Sequence, residues 1–365
     1  MPLSSFDPQR YDELLATKTA RVKALLAPYG APEPEVIPSP DAGFRMRAEF
    51  RLWHDGNDLD YVMFRRGEPD TPVPVQHFPI ACEHIQQLMP ALLARLRGEP
   101  ELRRKLFQVE FLSTLAGDSL VTLAYHRKLD EGWRSRAEIL AAELGIALVG
   151  RSRKQKEVIG RDFVTEVLQI EGRDYRYRQY EQAFTQPNAA VNIRMIEWAS
   201  RTAASLGDDL LELYCGNGNF TLPLARHFDQ VIATELAKTS IRAAHWNLEA
   251  NAISNVQMIR LAAEEVTQAM NGERAFRRLA DLPKPLADYR LNTVFVDPPR
   301  AGLDPATTSM VQRFPNIIYV SCNPETLAAN VAVLSQTHKV QAFALFDQFP
   351  YTDHMECGVL LQRVA

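Results

Sequence analysis

The sequence has few cysteines and no long apolar run. Its four cysteines, Cys82, Cys215, Cys322 and Cys357, lie far apart and form no CxxC or Cys/His spacing. This pattern argues against a disulfide framework, a zinc site or an iron–sulfur cluster, and we predict no metal site. No segment approaches the roughly 18 apolar residues of a membrane span, and Met1 to Ser5 carry neither a basic flank nor an apolar run. We therefore expect a cytoplasmic protein that does not bind membranes.

The chain also lacks a strong net charge. Its 365 residues are 46% apolar and 24% charged, and the net charge is −4. This balance gives no global indication of nucleic-acid binding, although basic clusters occur at residues 103–105, 151–156 and 274–278. A short run of charge is usually a solvated face. By the prior of about 100 to 200 residues per domain, the length predicts two domains.

Residues 1–180 have the pattern of an α+β domain. Apolar residues alternate over Phe44–His54 and Leu59–Phe64 on either side of Asp55-Gly56-Asn57, which indicates a hairpin. A second hairpin is predicted over Leu106–Ser113 and Ser119–His126. Helical patterns accompany these hairpins over Asp7–Leu26, Ile85–Arg97 and Arg134–Leu144.

Cations and aromatic rings alternate along several of these strands. Examples are residues 44–47, 51–54, 125–128 and 175–180. Guanidinium groups bind phosphates and aromatic faces stack on unpaired bases, as in proteins that hold single-stranded RNA loops. Amphipathic cross-strand pairs in an ordinary sheet produce the same alternation, so the pattern alone does not decide between the two.

Residues 181–365 repeat the order strand, turn, helix, which predicts a doubly wound α/β domain. Two short apolar runs, Thr293–Val296 and Ile317–Val320, end in Asp297-Pro298-Pro299-Arg300 and Ser321-Cys322-Asn323-Pro324. Such runs are typical of buried parallel strands, and open α/β sheets bind ligands at the carboxyl ends of these strands. The two turns should therefore face one crevice.

The last two predicted strands are joined by Gln348 to Glu356, which is too short for a crossover helix. They must pair antiparallel, and this brings Glu356 beside Cys322 and Asp297. A glutamate at a strand start is usually solvated, but one directed into a crevice is a candidate base.

A nucleotide-type loop precedes these turns. Gly216-Asn217-Gly218 follows a strand and opens a helix, and Glu235 ends the next strand seventeen residues after Gly218. That spacing places a carboxylate where it accepts hydrogen bonds from both ribose hydroxyls of an adenosine. Thr221 stands where the third glycine of the dinucleotide fingerprint would be, which favours an adenosine ligand without phosphates. S-adenosylmethionine fits this description, although a lone GxG is often only a turn.

Cys322 lies just before a predicted helix, Glu325 to Leu334. The amino end of a helix favours thiolate, so we predict a lowered thiol pKa. An unassigned cysteine is more often an inert core residue, and we keep that interpretation for Cys215 and Cys357. The position of Cys322 in a strand-end turn favours a functional thiol.

Four motifs in the second half resemble the RNA 5-methyluridine methyltransferases. They are residues 211–220 (LELYCGNGNF), 297–300 (DPPR), 321–324 (SCNP) and 354–358 (HMECG). The resemblance extends to residues 44–51 and 184–188, which are similar to the tRNA (uracil-5-)-methyltransferase branch. The ribosomal-RNA branches usually carry an amino-terminal β-barrel and cluster-binding cysteines, whereas this chain has only Cys82 before residue 200.

The resemblance implies a Rossmann-like methyltransferase domain of seven strands, the last antiparallel, preceded by an α+β RNA-binding domain. It implies S-adenosylmethionine as cofactor and, as substrate, the uridine of the tRNA T-loop that becomes ribothymidine. Other T-loop-like RNAs are further candidate substrates, and we expect a monomer. We assign Cys322 as the nucleophile that adds to carbon 6 of uracil and Glu356 as the base that removes the proton from carbon 5.

The resemblance also implies the binding residues. The cofactor pocket would be lined by Gln186, Tyr214, Gly216, Asn219, Glu235 and Asp297. Contacts to the opened RNA loop are predicted for Arg51, Phe107 and His126.

Three alternatives stay open. One is a 23S ribosomal-RNA uridine methyltransferase with the same mechanism, and another is a non-catalytic RNA-folding protein on this scaffold. Amino-group methylation is disfavoured, because Arg300 stands where an aromatic residue should stack.

Overall fold

The computed structural model describes residues 6–56, 58–65 and 67–364. The predicted amino-terminal stretch Met1–Ser5 and Asn57 of the first hairpin turn lie outside the described residues. The chain groups into two compact units. The first unit contains residues 40–167 and 179–189 and the described residues before residue 9, and the second contains residues 9–39, 168–178 and 190 onward. The predicted division at residue 180 stays a prediction.

The described residues form 17 strands and ten α-helices. The strands are β1 (Glu35–Ile37), β2 (Arg47–Asp55), β3 (Asp58–Arg65), β4 (Glu68–Pro74), β5 (Leu106–Ser113), β6 (Ser119–Tyr125), β7 (Ala147–Ser152), β8 (Gln155–Ile159), β9 (Phe163–Ile170), β10 (Arg173–Tyr180), β11 (Asp209–Leu213), β12 (Gln230–Thr234), β13 (Val256–Ile259), β14 (Leu291–Val296), β15 (Asn316–Ser321), β16 (His338–Phe346) and β17 (Glu356–Arg363). The α-helices are α1 (Tyr11–Leu26), α2 (Glu83–Gly98), α3 (Pro100–Arg103), α4 (Glu131–Leu144), α5 (Ala189–Ala203), α6 (Thr221–Leu224), α7 (Lys238–Ala250), α8 (Ala263–Met270), α9 (Pro305–Val311) and α10 (Pro324–Leu334). Among these helices, none combines the length and the apolar character that crossing a bilayer requires.

The second unit contains a sheet in the order β1-β16-β17-β15-β14-β11-β12-β13. Strand β17 runs antiparallel to both β15 and β16, whereas the other neighbours are parallel. The predicted doubly wound fold with an antiparallel last strand is therefore confirmed. Strand β1 adds an eighth, edge strand in parallel register with Ala344 to Phe346.

Both faces of this sheet are covered, which explains the nearly continuous apolar strands. Val22 and Leu26 of α1 belong to the core on one face. Met195 and Trp198 of α5 belong to the core on the other face. A parallel sheet buried on both faces leaves its strand ends as the places for polar side chains. The carboxyl ends of the strands therefore position the functional groups of this unit.

The first unit contains a sheet in the order β4-β3-β2-β5-β6-β7-β8. Along β2, Phe50 and Leu52 are buried, whereas Arg51 and Trp53 are exposed. Helices α2 and α4 contact each other and strands of this sheet. Helix α4 is the crossover between the parallel strands β6 and β7. The unit is thus an α+β structure, as the sequence predicts, and β2 presents a polar face.

Candidate active site

Four neighbouring strands of the second unit end at the same edge of the sheet. Strand β11 ends in register with the ends of β12 and β14, and β14 pairs in parallel with β15. The residues that follow β11, β12 and β14 are Tyr214, Glu235 and Asp297. Because parallel strands share this edge, the structure brings these three predicted residues to one edge of the sheet, where open α/β sheets bind ligands.

Cys322 and Glu356 are neighbours at this edge. Ser321 pairs with Cys357 in the antiparallel ladder between β15 and β17. Cys322 directly follows Ser321 and Glu356 directly precedes Cys357, so the two residues flank the last pair of that ladder, and the Glu356 carboxyl is close enough to act on the Cys322 thiol. Cys322 is half-buried, whereas Cys82, Cys215 and Cys357 are buried. The thiol of Cys322 is therefore the most accessible of the four.

The predicted lowering of the Cys322 pKa is wrong. Burial and the nearby Glu356 and Asp297 carboxyl groups raise the pKa of this thiol to about 11, and the Arg300 guanidinium opposes them only in part. The amino end of α10 is capped by Asn323, whose Oδ1 accepts from the Glu325 amide at 3.2 Å. Desolvation and neighbouring carboxyls outweigh the favourable end of the helix, since a charged thiolate loses its hydration there.

The carboxyl groups beside the thiol also have raised pKa values. Glu356 is 4% exposed, and its burial together with the Asp297 carboxyl raises its pKa to about 8, while Arg300 lowers it. Burial raises the pKa of Asp297 to about 7. A carboxyl group that titrates near neutral pH suits a general base, because catalysis is most efficient when the pKa lies near the operating pH.

The glycine loop is a tight turn built on left-handed backbone. Tyr214, Gly216 and Gly218 have φ values of 61°, 56° and 86°. A Cβ at Gly218 would lie 2.6 Å from Cδ1 of Leu222, so that position favours glycine. Oε2 of Glu235 accepts a hydrogen bond from the Gly216 amide at 3.1 Å. The carboxylate predicted to contact a ribose thus also shapes the loop.

Asn219, at the end of this loop, is fixed by a neighbouring amide. Its Nδ2 donates to Oδ1 of Asn192 at 2.9 Å, and Nδ2 of Asn192 donates to Oδ1 of Asn219 at 2.9 Å. The Tyr177 hydroxyl donates to the Asn219 carbonyl at 3.1 Å. These bonds hold Asn219 in one orientation beside the glycines.

Glu212 is a candidate site residue that sequence reasoning missed. It lies within β11, is 1% exposed, and neither carboxylate oxygen has a hydrogen-bond partner in the described part of the chain. Burial raises its pKa to about 8, the Thr221 hydroxyl nearby opposes this in part, and Asp297 adds a smaller upward contribution. A single charged residue inside the apolar run Leu210–Leu213 was the signal that could have identified it.

Gln186 lies in the first unit, within residues 179–189. Its Oε1 is buried and has no hydrogen-bond partner among the described residues. The other five predicted cofactor residues, Tyr214, Gly216, Asn219, Glu235 and Asp297, lie in the second unit.

The predicted RNA contacts of the first unit form a stack. The Phe107 and His126 rings lie 3.9 Å apart between centroids with 9° between their planes. The Arg51 guanidinium lies 5.2 Å from the Phe107 centroid. The structure therefore brings Arg51, Phe107 and His126 together as a layered platform with a cation at one end.

The second unit fits an adenosine ligand. A Cβ at Gly216 would meet no atom within 4 Å, so the loop is open at that position, and Glu235 stands at the end of the adjacent strand. Glu212 is a buried carboxyl group whose raised pKa keeps it protonated at neutral pH, so it supplies no negative charge to a ligand. No group of three or more potential metal ligands occurs among the residues that the structure describes.

Comparisons with known proteins identify a matching family and similar sequences. The family model for tRNA (Uracil-5-)-methyltransferase matches residues 10–364. A tRNA/tmRNA (uracil-C(5))-methyltransferase of Pseudomonas entomophila is 56% identical over 358 residues, covering 98% of this chain and 99% of the relative. A protein with the same description from Azotobacter vinelandii is 57% identical over 363 residues, covering 100% of both.

One solved structure extends the comparison to the fold. It is the Pyrococcus abyssi tRNA (uracil-54, C5)-methyltransferase in complex with S-adenosyl-L-homocysteine, with a TM-score of 0.73 and 22% identity. The match covers 96% of this chain and 83% of that chain. At this identity, the likeness is one of fold.

Proposed function

Because the chain belongs to the tRNA (uracil-5-)-methyltransferase family, we propose that it methylates carbon 5 of the T-loop uridine in tRNA through a covalent adduct on Cys322. Its cofactor is S-adenosylmethionine. The observation that carries the proposal is that Cys322 and Glu356 flank the last pair of the β15–β17 ladder, at the sheet edge where the glycine loop also begins. This proximity supports a nucleophile and a base that act on one substrate.

The chemistry follows from the weakness of uracil carbon 5 as a nucleophile. The Cys322 sulfur, after loss of its proton, bonds to carbon 6, and the electrons of the carbon 5–carbon 6 double bond move toward the carbonyl oxygen as an enolate. When bound, S-adenosylmethionine would supply the electrophilic methyl group that becomes bonded to carbon 5, and S-adenosylhomocysteine would be left. The Glu356 carboxylate then takes the proton from carbon 5, the double bond reforms, and the carbon–sulfur bond breaks to release Cys322.

The cofactor residues have separate tasks in this proposal. Glu235 offers carboxylate oxygens to ribose hydroxyls, and Gly216 allows close approach to the loop backbone. Tyr214, Asn219 and Asp297 line the remaining sides.

The target uridine must leave its folded loop, at a cost of a few kcal/mol. We infer that the stack of Arg51, Phe107 and His126 stabilises the opened loop and so offsets part of this free energy. Aromatic faces stack on unpaired bases, and the guanidinium attracts phosphate. Some relatives are named for both tRNA and tmRNA, so RNAs with a similar loop belong to the proposed substrate class. A cytoplasmic location and a monomeric state stay predictions.

The test supplies tritiated S-adenosylmethionine with unmodified tRNA, tmRNA and 23S ribosomal RNA in parallel, followed by mass-spectrometric mapping of the methylated nucleotide. We expect label in the T-loop uridine of tRNA and none with Cys322→Ala. Label only in ribosomal RNA would overturn the substrate assignment. Methylation that survives Cys322→Ala would refute the covalent mechanism. A wild-type protein that refolds RNA without transferring label would support the RNA-folding alternative.

A further inference from the structure

The loop between β16 and β17, residues 347–355, leads directly into Glu356. Its residues lie outside every strand and helix. Tyr351 within the loop has a φ of 60°, a left-handed conformation that is costly for a residue with a Cβ. A loop without a ladder or a helix of its own depends on side-chain contacts for its path. Two cationic side chains of helix α1 supply such contacts.

Lys18 of α1 attaches both ends of this loop to the helix. The side chain is 5% exposed, and its ammonium forms an ion pair with Asp347, the first residue of the loop. The same Nζ donates to the carbonyls of Phe349 and His354, each at 3.3 Å. A buried ammonium has three N–H donors to satisfy, and these three acceptors satisfy them. The loop is therefore fixed to α1 near its start and near its end.

Arg21, about one helical turn further along α1, joins the same loop to helix α10. Its Nη2 donates to the Asp353 carbonyl at 2.6 Å, and its Nη1 donates to Oε1 of Glu325 at 2.8 Å. Glu325 follows Cys322 by three residues. Asp353 precedes Glu356 by three residues. Because a guanidinium holds two acceptors in one fixed geometry, Arg21 connects the turn that carries the thiol with the loop that precedes the carboxyl group.

Helix α1 is a rigid support for both connections, since Val22 and Leu26 anchor it in the core of the second unit. Lys18 fixes the loop to this helix, and Arg21 fixes the start of α10 to the same helix. The side chains of Arg21 and Glu325 are 42% and 54% exposed. Exposed ion pairs contribute little to stability, so a substitution of Arg21 should leave the fold intact.

We propose that Arg21 is a positioning residue that sets the distance between the Cys322 thiol and the Glu356 carboxylate. The proposal rests on the proposed function and deepens it, since it assigns control of one step of that reaction. Addition needs only the sulfur at carbon 6, whereas elimination also needs the carboxylate at the proton on carbon 5. A displaced loop therefore slows elimination first, because a misplacement of about 1 Å costs on the order of a hundredfold in rate.

The experiment follows methylation of unmodified tRNA by the full chain carrying Arg21→Gln. Partial displacement of the loop should lower kcat about tenfold. The fraction of protein held as a denaturation-resistant RNA adduct during turnover should rise, because elimination is slowed and addition is not. The KM for tRNA and the melting temperature should stay at wild-type values. Lys23→Gln, which removes another exposed cation of α1, is the matched control and should behave as wild type.

Glu325→Gln tests whether the bond to α10 carries the effect. In the wild-type background it should reproduce part of the loss in kcat. In the Arg21→Gln background it should have no further effect, since the bond is already absent. An equal effect of Glu325→Gln in both backgrounds would overturn the assignment, because the carboxylate would then act without Arg21.

Wild-type kcat and adduct level in Arg21→Gln, beside a wild type that methylates tRNA, would overturn the role of Arg21 alone. A raised KM for tRNA with unchanged kcat would also overturn it, since Arg21 would then be an RNA contact. Equal losses of addition and elimination with a lower melting temperature would show a purely structural role. A wild type that forms neither adduct nor methylated tRNA would overturn the proposed function instead.

Discussion

Cys322 lies in a turn where two carboxyl groups oppose the thiolate and one guanidinium supports it. Burial of the thiol, together with Glu356 and Asp297, raises its pKa, and Arg300 lowers it. The free protein therefore holds a protonated thiol at neutral pH. Such a thiol is protected from solvent electrophiles and oxidants, because the thiolate is the reactive form. Reactivity then depends on what the bound RNA does to this charge balance.

Glu356→Gln should permit addition and methyl transfer but block elimination. An amide cannot take the proton from carbon 5, so a covalent protein–RNA adduct should accumulate and survive denaturing electrophoresis.

In the wild type, the carboxylate fraction of Glu356 grows as the pH approaches its pKa of about 8. Turnover should therefore rise between pH 6 and 8, and the variant should lose at least about a hundredfold in turnover.

The control is Glu356→Asp, which keeps a carboxylate and should release the adduct slowly. Normal turnover by Glu356→Gln would remove Glu356 from the mechanism. If neither Glu356→Gln nor Glu356→Asp forms the adduct, Glu356 would instead have a role in RNA binding.

The sequence was sufficient to predict that Glu356 lies beside Cys322, but it did not predict the pKa shifts of these groups. The short connection before Glu356 was enough to place it beside Cys322, because nine residues leave no room for a crossover helix. The sign of the thiol pKa shift was wrong because the burial of Cys322 and the closeness of the Glu356 and Asp297 carboxyl groups depend on the packed edge of the sheet. Glu212 was missed for a similar reason. Only the three-dimensional structure shows that its carboxyl group is buried and that its oxygens have no hydrogen-bond partner among the described residues.

Helix α7 bonds to strand β10 through two asparagines one helical turn apart. Asn251 accepts from the Arg176 amide at 2.9 Å and donates to the Arg176 carbonyl at 2.8 Å. Asn247 is 0% exposed and accepts from the Arg178 amide at 2.7 Å. Asn247 also donates to the Asn217 carbonyl in the glycine loop at 2.8 Å. Only Asn247 of the pair connects the strand to the loop.

Asn247→Ala should weaken cofactor binding more than the matched variant Asn251→Ala. Both variants remove bonds to β10, but Asn247→Ala also leaves the Asn217 carbonyl without its donor. A lost hydrogen bond of about 1 kcal/mol corresponds to roughly fivefold in affinity. Titration calorimetry with S-adenosylhomocysteine measures this difference. We expect Asn247→Ala to bind S-adenosylhomocysteine more weakly and Asn251→Ala to bind it with nearly wild-type affinity. The melting temperatures of the two variants should be similar.

Equal affinities in the two variants would show that the bond to Asn217 has no part in binding. A lower melting temperature for Asn247→Ala with unchanged affinity would assign Asn247 a purely structural role.

Most elements were predictable where the apolar period is long and regular. The hairpin of Leu106–Ser113 and Ser119–Tyr125 was predicted to within one residue. Strand β4 was missed because Pro72 and Pro74 are typical of loops, and the sheet accepts them only because β4 is an edge strand. Strand β1 was missed because its three residues are too few to show an alternation of apolar and polar side chains. Its position depends on pairing with β16, which lies more than 300 residues away in the sequence.

Over the whole molecule, buried carboxyl groups couple stability to pH. The folded-state pKa values of Glu212, Asp297 and Glu356 are about 8, 7 and 8, each above the ordinary value for an exposed group. The folded protein therefore holds protons that the unfolded chain releases at neutral pH. Their contribution to stability is full below about pH 4 and is lost as the pH rises through 7 to 8.

The free energy of unfolding without cofactor should accordingly fall between pH 5 and 8, and it should fall less in Glu212→Gln. The amide removes one titrating group, so the two proteins should diverge by about 1 kcal/mol per pH unit over that range. Urea denaturation at pH 5.5 and pH 8 measures the difference. Glu249→Gln, an exposed change on α7, serves as control. If the free energy of unfolding falls equally with pH in wild type and Glu212→Gln, Glu212 does not contribute to the pH dependence of stability.

The pairing of β1 with β16 sets an order of events during synthesis. Glu35 leaves the ribosome long before its partner Ala344. At about 5 to 20 residues per second, the wait is on the order of 15 to 60 s. The first unit, whose main segment is residues 40–167, is translated completely within that interval. The second unit, with its crevice, gains its edge strand only near the end of translation, so a nascent chain acquires the parts for folding the first unit before the parts for methyl transfer.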